Sequence, residues 1–384
     1  MDKLNQTIPL KNDSSRVWFP HFPLESIFIQ SMFDLERYNF VLPDELIAKS
    51  PASPRDTSRL FVYDTASDTI TLDKFFNLHK HLPQNAHLVF NDTKVVPARL
   101  WLKKETGGKI EVLLLMNEHR PKEKFFKGIV DRKIEVGAKL YFESGAYLEV
   151  VKQEEQFFFF KPSISVSELF TLMQKEGHTP IPPYIKGSTL TEKNLREKYQ
   201  SIFAKHPASV AAPTASLHMS PRVLRHLEKR GDVHTTHITL HVGAGTFAPI
   251  SQENFVSQKL FEEYCTIETR AANEINRALS IGNPIIPVGT TAMRTLESFA
   301  SRYHNQYHVT PGEKATNIFI FPPYEFKIAD GIITNFHIPC SSLLLLVDAL
   351  LVHKNSKRGI MELYKIAIQE KFRFYSFGDS MLIK

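Results

Sequence analysis

The sequence predicts an α/β main domain carrying an inserted small β-barrel domain, and three observations carry that expectation. After residue 163, helix-like and strand-like segments alternate, as they do around a largely parallel sheet. Between residues 95 and 162 the texture changes to short β-rich segments, Ile110–Leu115, Lys139–Phe142, Tyr147–Val151 and Phe157–Phe160. They are punctuated by Gly107, Gly108, Gly128, Gly137 and Gly145, which is the pattern of a small barrel or sandwich. At 384 residues the chain is long enough for two or three such units. The expected division is residues 1–31 as an N-terminal extension, 32–94 with 163–384 as the α/β catalytic domain, and 95–162 as the inserted barrel.

The extension is set apart by a polar start and an apolar stretch broken at Pro20 and Pro23, whereas Met32 opens a cleaner pattern and is an alternative start. Leu42–Lys49 reads as a short helix, with Pro43 early and two acids in its first turn, stopped by Pro51 and Pro54. Leu60–Asp64 and Thr69–Leu72 read as a hairpin, and His87–Phe90 as a buried strand running into the turn residues Asn91-Asp-Thr. Phe157–Phe160 reads as a buried strand rather than a stacking platform for bases. Ser220 and Pro221 start a helix that Gly231 stops. Its Val223, Leu224 and Leu227 face inward, and Arg222, Arg225, His226 and Lys229 lie opposite, as either a solvated face or a phosphate-contacting stripe. The run Pro284–Val288 reads as a strand ending at Gly289, with a helix from near Ala292 whose first N–H groups suit a carboxylate or phosphate. On that helix Arg294 either pairs with Glu297 or clamps an anionic ligand. The apolar run Leu343–Val352, interrupted by Asp348, falls well short of the ~20 residues a membrane span needs and reads as a buried helix of a cytoplasmic protein.

Composition narrows the class. Hydrophobic residues at 42% and charged residues at 23% are ordinary for a globular chain. The balance 47 − 41 = +6 permits an acidic partner such as RNA without demanding one. Cys265 and Cys340 are far apart, so a disulfide framework or a cysteine zinc site is not indicated, and no metal is expected.

Polar residues embedded in apolar strings cost free energy unless paired or used, and such strings cluster here. They include Pro213–Met219 with His218, Ile238–Phe247 with His241, Val288–Ser298, Thr334–Pro339 with His337, and Phe372–Ser380. Gly243-Ala-Gly245 follows a strand but lacks the third glycine and the helix of a dinucleotide fingerprint.

Taken with Leu42–Ala48, Arg55–Leu60, Asn91–Leu100, Gly107–Leu115 and Gly177–Ile185, these blocks resemble, in order from about residue 32, the S-adenosylmethionine:tRNA ribosyltransferase-isomerase family of queuosine biosynthesis. The resemblance implies an α/β domain with an inserted barrel and a consumed cosubstrate, S-adenosyl-L-methionine. Its ribosyl moiety is transferred to preQ1 at the tRNA wobble position and isomerised, giving epoxyqueuosine, adenine and methionine. The partner is tRNA carrying preQ1 in the anticodon; no membrane role is implied, and a monomer is expected. That chemistry needs a base beside the sulfonium, help for the departing adenine and an anchor for the methionine carboxylate. On these demands His218, His241 and His337 are expected to move protons, with Asp92 and Glu263 as carboxylates. Arg294, Thr290 and Thr291, with Gly243, Gly245 and Thr246, are expected at the cosubstrate. Tyr199, Gln200, Thr214 and Asn335 are expected at the modified base, and Arg222, Arg225 and Lys229 at tRNA phosphates.

The chain departs from the family pattern at Phe203 for a tyrosine, Ser216 for a glycine, Phe261 for a histidine and Leu195 for an acid. Two rival readings follow: a non-catalytic tRNA-binding relative, or another S-adenosylmethionine-dependent tRNA-modifying enzyme.

Overall fold

Strands that are apolar on both faces can only sit inside a sheet covered on both sides. His87–Asn91 and Ile285–Val288 are of this kind, buried along their whole length. The computed structural model describes residues 34–120, 123–185, 190–243, 245 and 250–384, so the expectations for residues 1–31, for Met32 and for Thr246 lie outside the described residues.

In chain order, β1 (Arg59–Asp64) and β2 (Thr69–Lys74) form the expected hairpin, and β3 (His87–Asn91) is followed at once by the short β4 (Thr93–Val95). Next come β5 (Arg99–Lys104), β6 (Lys109–Leu114), β7 (Phe126–Val130), β8 (Lys139–Tyr141), β9 (Tyr147–Glu154) and β10 (Phe157–Pro162). After them lie β11 (His206–Ser209), β12 (His234–Leu240), β13 (Lys259–Ile267) and β14 (Ile285–Val288). The last are β15 (Ala300–Tyr303), β16 (Gln306–Val309), β17 (Gly312–Ile318), β18 (Ile332–Asn335) and β19 (Ser380–Ile383). A nine-stranded sheet runs β17-β13-β12-β3-β14-β18-β19-β1-β2. Its centre, β12-β3-β14-β18, is parallel, while β19 and β1 run the other way.

Strands β5 to β10 close into a barrel of order β10-β7-β6-β5-β8-β9. Period-two alternation fills it: Leu100, Leu102, Ile110, Val112, Leu114, Leu148, Val150, Phe158 and Phe160 point inward. Phe157–Phe160 is thus a barrel strand with one face in the core. Gly128 is needed there, because a Cβ would lie 2.8 Å from the Leu113 carbonyl oxygen and 2.9 Å from the Phe160 ring. The helix Val166–Glu176, started by a Ser165/Glu168 capping box, adds Leu169 and Met173 to the barrel core.

The helix Pro221–Arg230 has the expected ends: Ser220 Oγ accepts from Val223 N, and Gly231 takes φ 82°. The helix Ser342–His353 buries Leu344–Val347 and Ala349–Leu351 while Val352 stays exposed, and Asp348 is satisfied by Tyr38 Oη at 2.6 Å and Ile360 N at 3.1 Å. Among the described residues, no helix is long and apolar enough to cross a membrane. The expected helix at Leu42–Lys49 is only a 3₁₀ turn, Asp44–Leu46, because Ile47 is drawn into a bridge with Phe374 and Leu46 alone of the turn is buried.

Candidate functional site

Because β12, β3, β14 and β18 are parallel, their carboxyl ends open on one edge of the sheet. Ligands in open α/β sheets bind outside that edge. It receives Asn91-Asp92 from β3, His241 from β12, Gly289 and the helix Thr290–Phe299 from β14, and Asn335-Phe336-His337 from β18. The antiparallel β19 and β1 bring their amino ends to the same place, with Ser380 opposite Asn335 and Leu60 opposite Ser380. Blocks scattered over 300 residues of sequence therefore meet by topology.

Asn91 fastens this edge. Its Oδ1 accepts from Leu240 N and Thr93 N, both at 3.1 Å, and its Nδ2 donates to Leu240 O at 2.9 Å and Thr291 Oγ1 at 3.1 Å. Between β14 and β18 lies a narrow crevice, with about 60 Å³ open to the centre of a water-sized sphere, whose walls contain Thr214, Thr290, Thr291, Asn335 and His337. Tyr184, Phe336, Ile338, Leu343 and Tyr375 supply apolar and aromatic surface, and the lining holds no Asp, Glu, Lys or Arg among the described residues.

The three histidines sit differently. His337 is on the crevice wall, with Nε2 2.9 Å from Thr334 Oγ1 and its backbone N donating to Tyr364 Oη at 2.8 Å. Burial alone pulls it down to about 3. His218 is 4% exposed and behind the wall, with Nδ1 2.9 Å from Ser58 Oγ and Nε2 3.4 Å from Asn335 Nδ2. Burial pulls it to about 4. Both ring nitrogens being engaged inside the protein, His218 is not placed to exchange protons with a ligand. His241 lies toward β13, its Nδ1 2.8 Å from Thr93 Oγ1, and burial, then His206 and Arg120, pull it to about 4.

The charged residues form a separate group. Arg294 does not pair with Glu297: its guanidinium is buried against Glu263, with Nη2 left without a hydrogen-bond partner. Glu297 accepts instead from the backbone N–H groups of Lys327, Ile328 and Ala329, at 3.0, 3.0 and 3.2 Å. Glu263 also takes Gly243 N at 2.9 Å, which ties the β12 exit to β13. Asp92 accepts from Thr239 Oγ1 at 2.6 Å, has His206 Nε2 at 3.7 Å, and lines a different groove with Lys205 and His237. Neither carboxylate reaches the crevice. The two glycines closely approach other protein atoms, for a Cβ at Gly243 would lie 2.7 Å from Asn117 Nδ2 and one at Gly245 2.5 Å from Phe261 Cβ.

Tyr199 and Gln200 are displaced from the expected role of reading a base. Tyr199 is fully buried, edge-on to Phe377. The Gln200 amide staples β4, with Nε2 donating to Val95 O at 2.7 Å and Oε1 accepting from Val95 N at 3.1 Å. In the basic stripe, Arg222 is held by both oxygens of Asp56, at 2.9 and 2.7 Å, leaving Arg225 and Lys229 as its exposed cations. Sequence reasoning missed Asn91 and Ser58. In the sequence Asn91 ends an apolar strand as a turn residue, and only the fold shows its amide fully buried. Among the described residues, no group of three His, Cys, Asp or Glu is placed to hold a metal ion.

The fold is that of an α/β protein whose parallel sheet opens a crevice at its carboxyl edge, with a small barrel inserted between β4 and β11. A family model described as "Queuosine biosynthesis protein" matches residues 35–383. The S-adenosylmethionine:tRNA ribosyltransferase-isomerase of Carboxydothermus hydrogenoformans is 41% identical over 352 residues, covering 91% of this chain and 99% of that protein. The enzyme of the same name from Legionella pneumophila (strain Lens) is 39% identical over 347 residues, covering 90% of this chain and 98% of its own. A crystal structure of the S-adenosylmethionine tRNA ribosyltransferase of Thermotoga maritima is 29% identical, covers 90% of this chain and 99% of that chain, and has a TM-score of 0.49. The chain belongs to the queuosine biosynthesis protein family.

Proposed function

We propose that this chain is an S-adenosylmethionine:tRNA ribosyltransferase-isomerase, acting on preQ1 at the wobble position of tRNA and releasing adenine and methionine. The observation that carries the reading is the crevice. Residues from four of the blocks shared with the family, Thr214, Thr290, Asn335 and Ser376, line one uncharged cleft at the carboxyl edge of the sheet. A wall free of fixed charge suits a neutral purine and leaves a sulfonium as the strongest local charge. That field acidifies the ribose carbon next to sulfur.

In this reading the helix Thr290–Phe299 presents its first N–H groups, with the Thr290 and Thr291 hydroxyls, to the methionine carboxylate. This replaces the anchor first expected of Arg294. His337 is the base nearest the ligand, neutral because buried. Arg225 and Lys229 contact tRNA phosphates, and the wobble base is splayed out toward the crevice.

The departures at Phe203 and Phe261 lie outside the crevice lining. Phe203 packs on Phe90 at 4.4 Å, and Phe261 is 42% exposed beside Gly245. Ser216 is buried behind the wall. Their positions favour an active enzyme over a decayed relative. The test is product analysis after mixing the protein with S-adenosylmethionine and preQ1-bearing tRNA. Adenine and methionine with the matching mass gain on the tRNA are expected. S-adenosylhomocysteine, or tRNA binding with the cosubstrate left intact, would overturn the reading.

A further inference from the structure

One side chain on the crevice wall has its hydrogen-bonding orientation fixed from behind. The Asn335 amide Nδ2 is 3.1 Å from the Tyr375 carbonyl oxygen, an atom that can only accept. The opposite amide orientation would set Oδ1 against that carbonyl, so Nδ2 belongs there. The same Nδ2 lies 3.4 Å from His218 Nε2. A donor on that side requires Nε2 to be the lone-pair nitrogen, which puts the imidazole proton on Nδ1, donated to Ser58 Oγ at 2.9 Å. Ser58, His218 and Asn335 thus form one polarised chain whose direction follows from the Tyr375 carbonyl.

The consequence is on the other side of the amide. Both Nδ2 protons are engaged, while Asn335 Oδ1 is buried with no hydrogen-bond partner, on a residue 3% exposed that forms part of the crevice wall. A buried carbonyl without a donor is costly to keep, and one whose amide is held by Tyr375 and His218 is preorganised for a donor that arrives with a ligand.

The crevice selects which donor. Among the described residues the lining holds no Asp, Glu, Lys or Arg, so the protein supplies no counter-charge for an ammonium placed against Oδ1. A neutral N–H on a flat aromatic body meets both conditions: the oxygen is satisfied, and Phe336, Tyr184, Tyr375 and Leu343 cover the ring faces.

Resting on the reading of the crevice given above, we propose that Asn335 is a specificity residue whose Oδ1 accepts from the exocyclic amine of the cosubstrate's aminopurine, and that His218 is a positioning residue that holds Asn335 in that orientation. His218 touches no ligand in this arrangement. The site takes 6-aminopurine nucleosides and discriminates against purines that lack the amine.

The experiment is equilibrium binding, without tRNA, of S-adenosylmethionine and of its analogue carrying unsubstituted purine in place of adenine. The wild-type protein is expected to bind the amino form on the order of 10- to 100-fold more tightly, the range for leaving one buried acceptor unpaired. In Asn335→Ala that preference falls to about twofold or less. His218→Leu loses most of the preference, whereas His218→Gln, whose amide oxygen can still accept from Asn335 Nδ2, regains part of it, a rescue that lost packing alone would not give. Equal binding of the two ligands by the wild type would overturn the proposal without any variant having to fold. So would an undiminished preference in Asn335→Ala, or a loss confined to the 2′-deoxy analogue, which would assign the acceptor to the ribose. Adenine release in the presence of preQ1-bearing tRNA is scored separately, so a preference for the amine without turnover would keep the acceptor and remove the ribosyl-transfer reading.

Discussion

The two halves of the strand-end edge are built on opposite plans. Toward β12 and β13 the polar residues are charged and engaged with one another: Glu263 with Arg294 and Gly243, Asp92 with Thr239 and His206. Among the described residues, those lining the crevice toward β14 and β18 are uncharged, and the Asn335 amide oxygen is buried without a hydrogen-bond partner. Paired charge inside a protein holds it together, and a buried polar atom without a partner is one a ligand can satisfy. On the reading proposed above, the buried Glu263–Arg294 pair belongs to the scaffold and the Asn335 amide to the site.

The largest test of that contrast is the buried ion pair. Arg294→Met strands Glu263 in the interior, and about 3–5 kcal/mol of stability should be lost, read from the denaturant midpoint. Adding Glu263→Leu should restore most of it, because two apolar residues leave no orphaned charge. A single Arg294→Met protein of unchanged stability but much weaker S-adenosylmethionine binding would instead make Arg294 the anion clamp and erase the contrast.

The buried histidines give the next effect. Both are depressed below the usual value near 6.5, His218 to about 4 and His337 to about 3. An unfolded chain therefore binds more protons than the folded one in that interval. The stability they represent is complete above about pH 6.5 and is lost as pH falls through 4 and then 3, to a limit of about 3 kcal/mol or more for each. Because carboxylates titrate nearby, the readout is the difference between wild type and His218→Gln in denaturant midpoint between pH 6.5 and 4. The slope should be shallower in the variant; identical slopes would mean His218 is not held neutral in the fold.

How much of this was legible in the sequence depends on the range of the interaction that fixes each feature. The helix Pro221–Arg230 was readable because its cap, first-turn proline and terminal glycine are all local. The barrel was readable from short β-rich segments and glycines, but not which face of Phe157–Phe160 turns inward: Phe158 and Phe160 are in the core, and Phe157 and Phe159 are not. The strands β13 and β17 were not, because pairing in an antiparallel arm depends on partners some fifty residues apart, Glu263 with Thr316 for one. The site was half legible. Blocks of polar residues in apolar runs pointed to the right edge, but which ones face a ligand is set by contacts across the whole chain. Arg294 finds its partner 31 positions away, and Gln200 finds its own 105 positions away. Helical spacing offered Glu297 as the nearer partner for Arg294, and backbone N–H groups at residues 327–329 had already taken it.

On the tRNA side the same rule separates Arg222, whose guanidinium is held by Asp56, from the exposed Arg225 and Lys229. Reversing both exposed charges (Arg225→Glu with Lys229→Glu) should weaken tRNA binding roughly tenfold at moderate salt and lower the slope of log affinity against log salt by about 2. S-adenosylmethionine binding should not change. An unaltered salt slope would make the stripe a solvated face.

The smallest effect tests the contrast from its silent side. If recognition resides in the uncharged crevice, restoring the family residues outside it should matter little. Phe261→His and Phe203→Tyr, alone or together, should change kcat/KM by less than about threefold, the scale of surface substitutions away from a site. Phe203 lies among Phe90 and His237, at ring distances of 4.4 and 4.9 Å, so a phenol there gains a hydrogen-bonding group without reaching the crevice. Phe261 lies 42% exposed against Gly245 and the Phe157 ring, on the barrel side of the sheet edge. A rise of tenfold or more on restoring the histidine would place a ligand contact on the β13 side, and the charged half of the edge would then have to be counted as part of the active site.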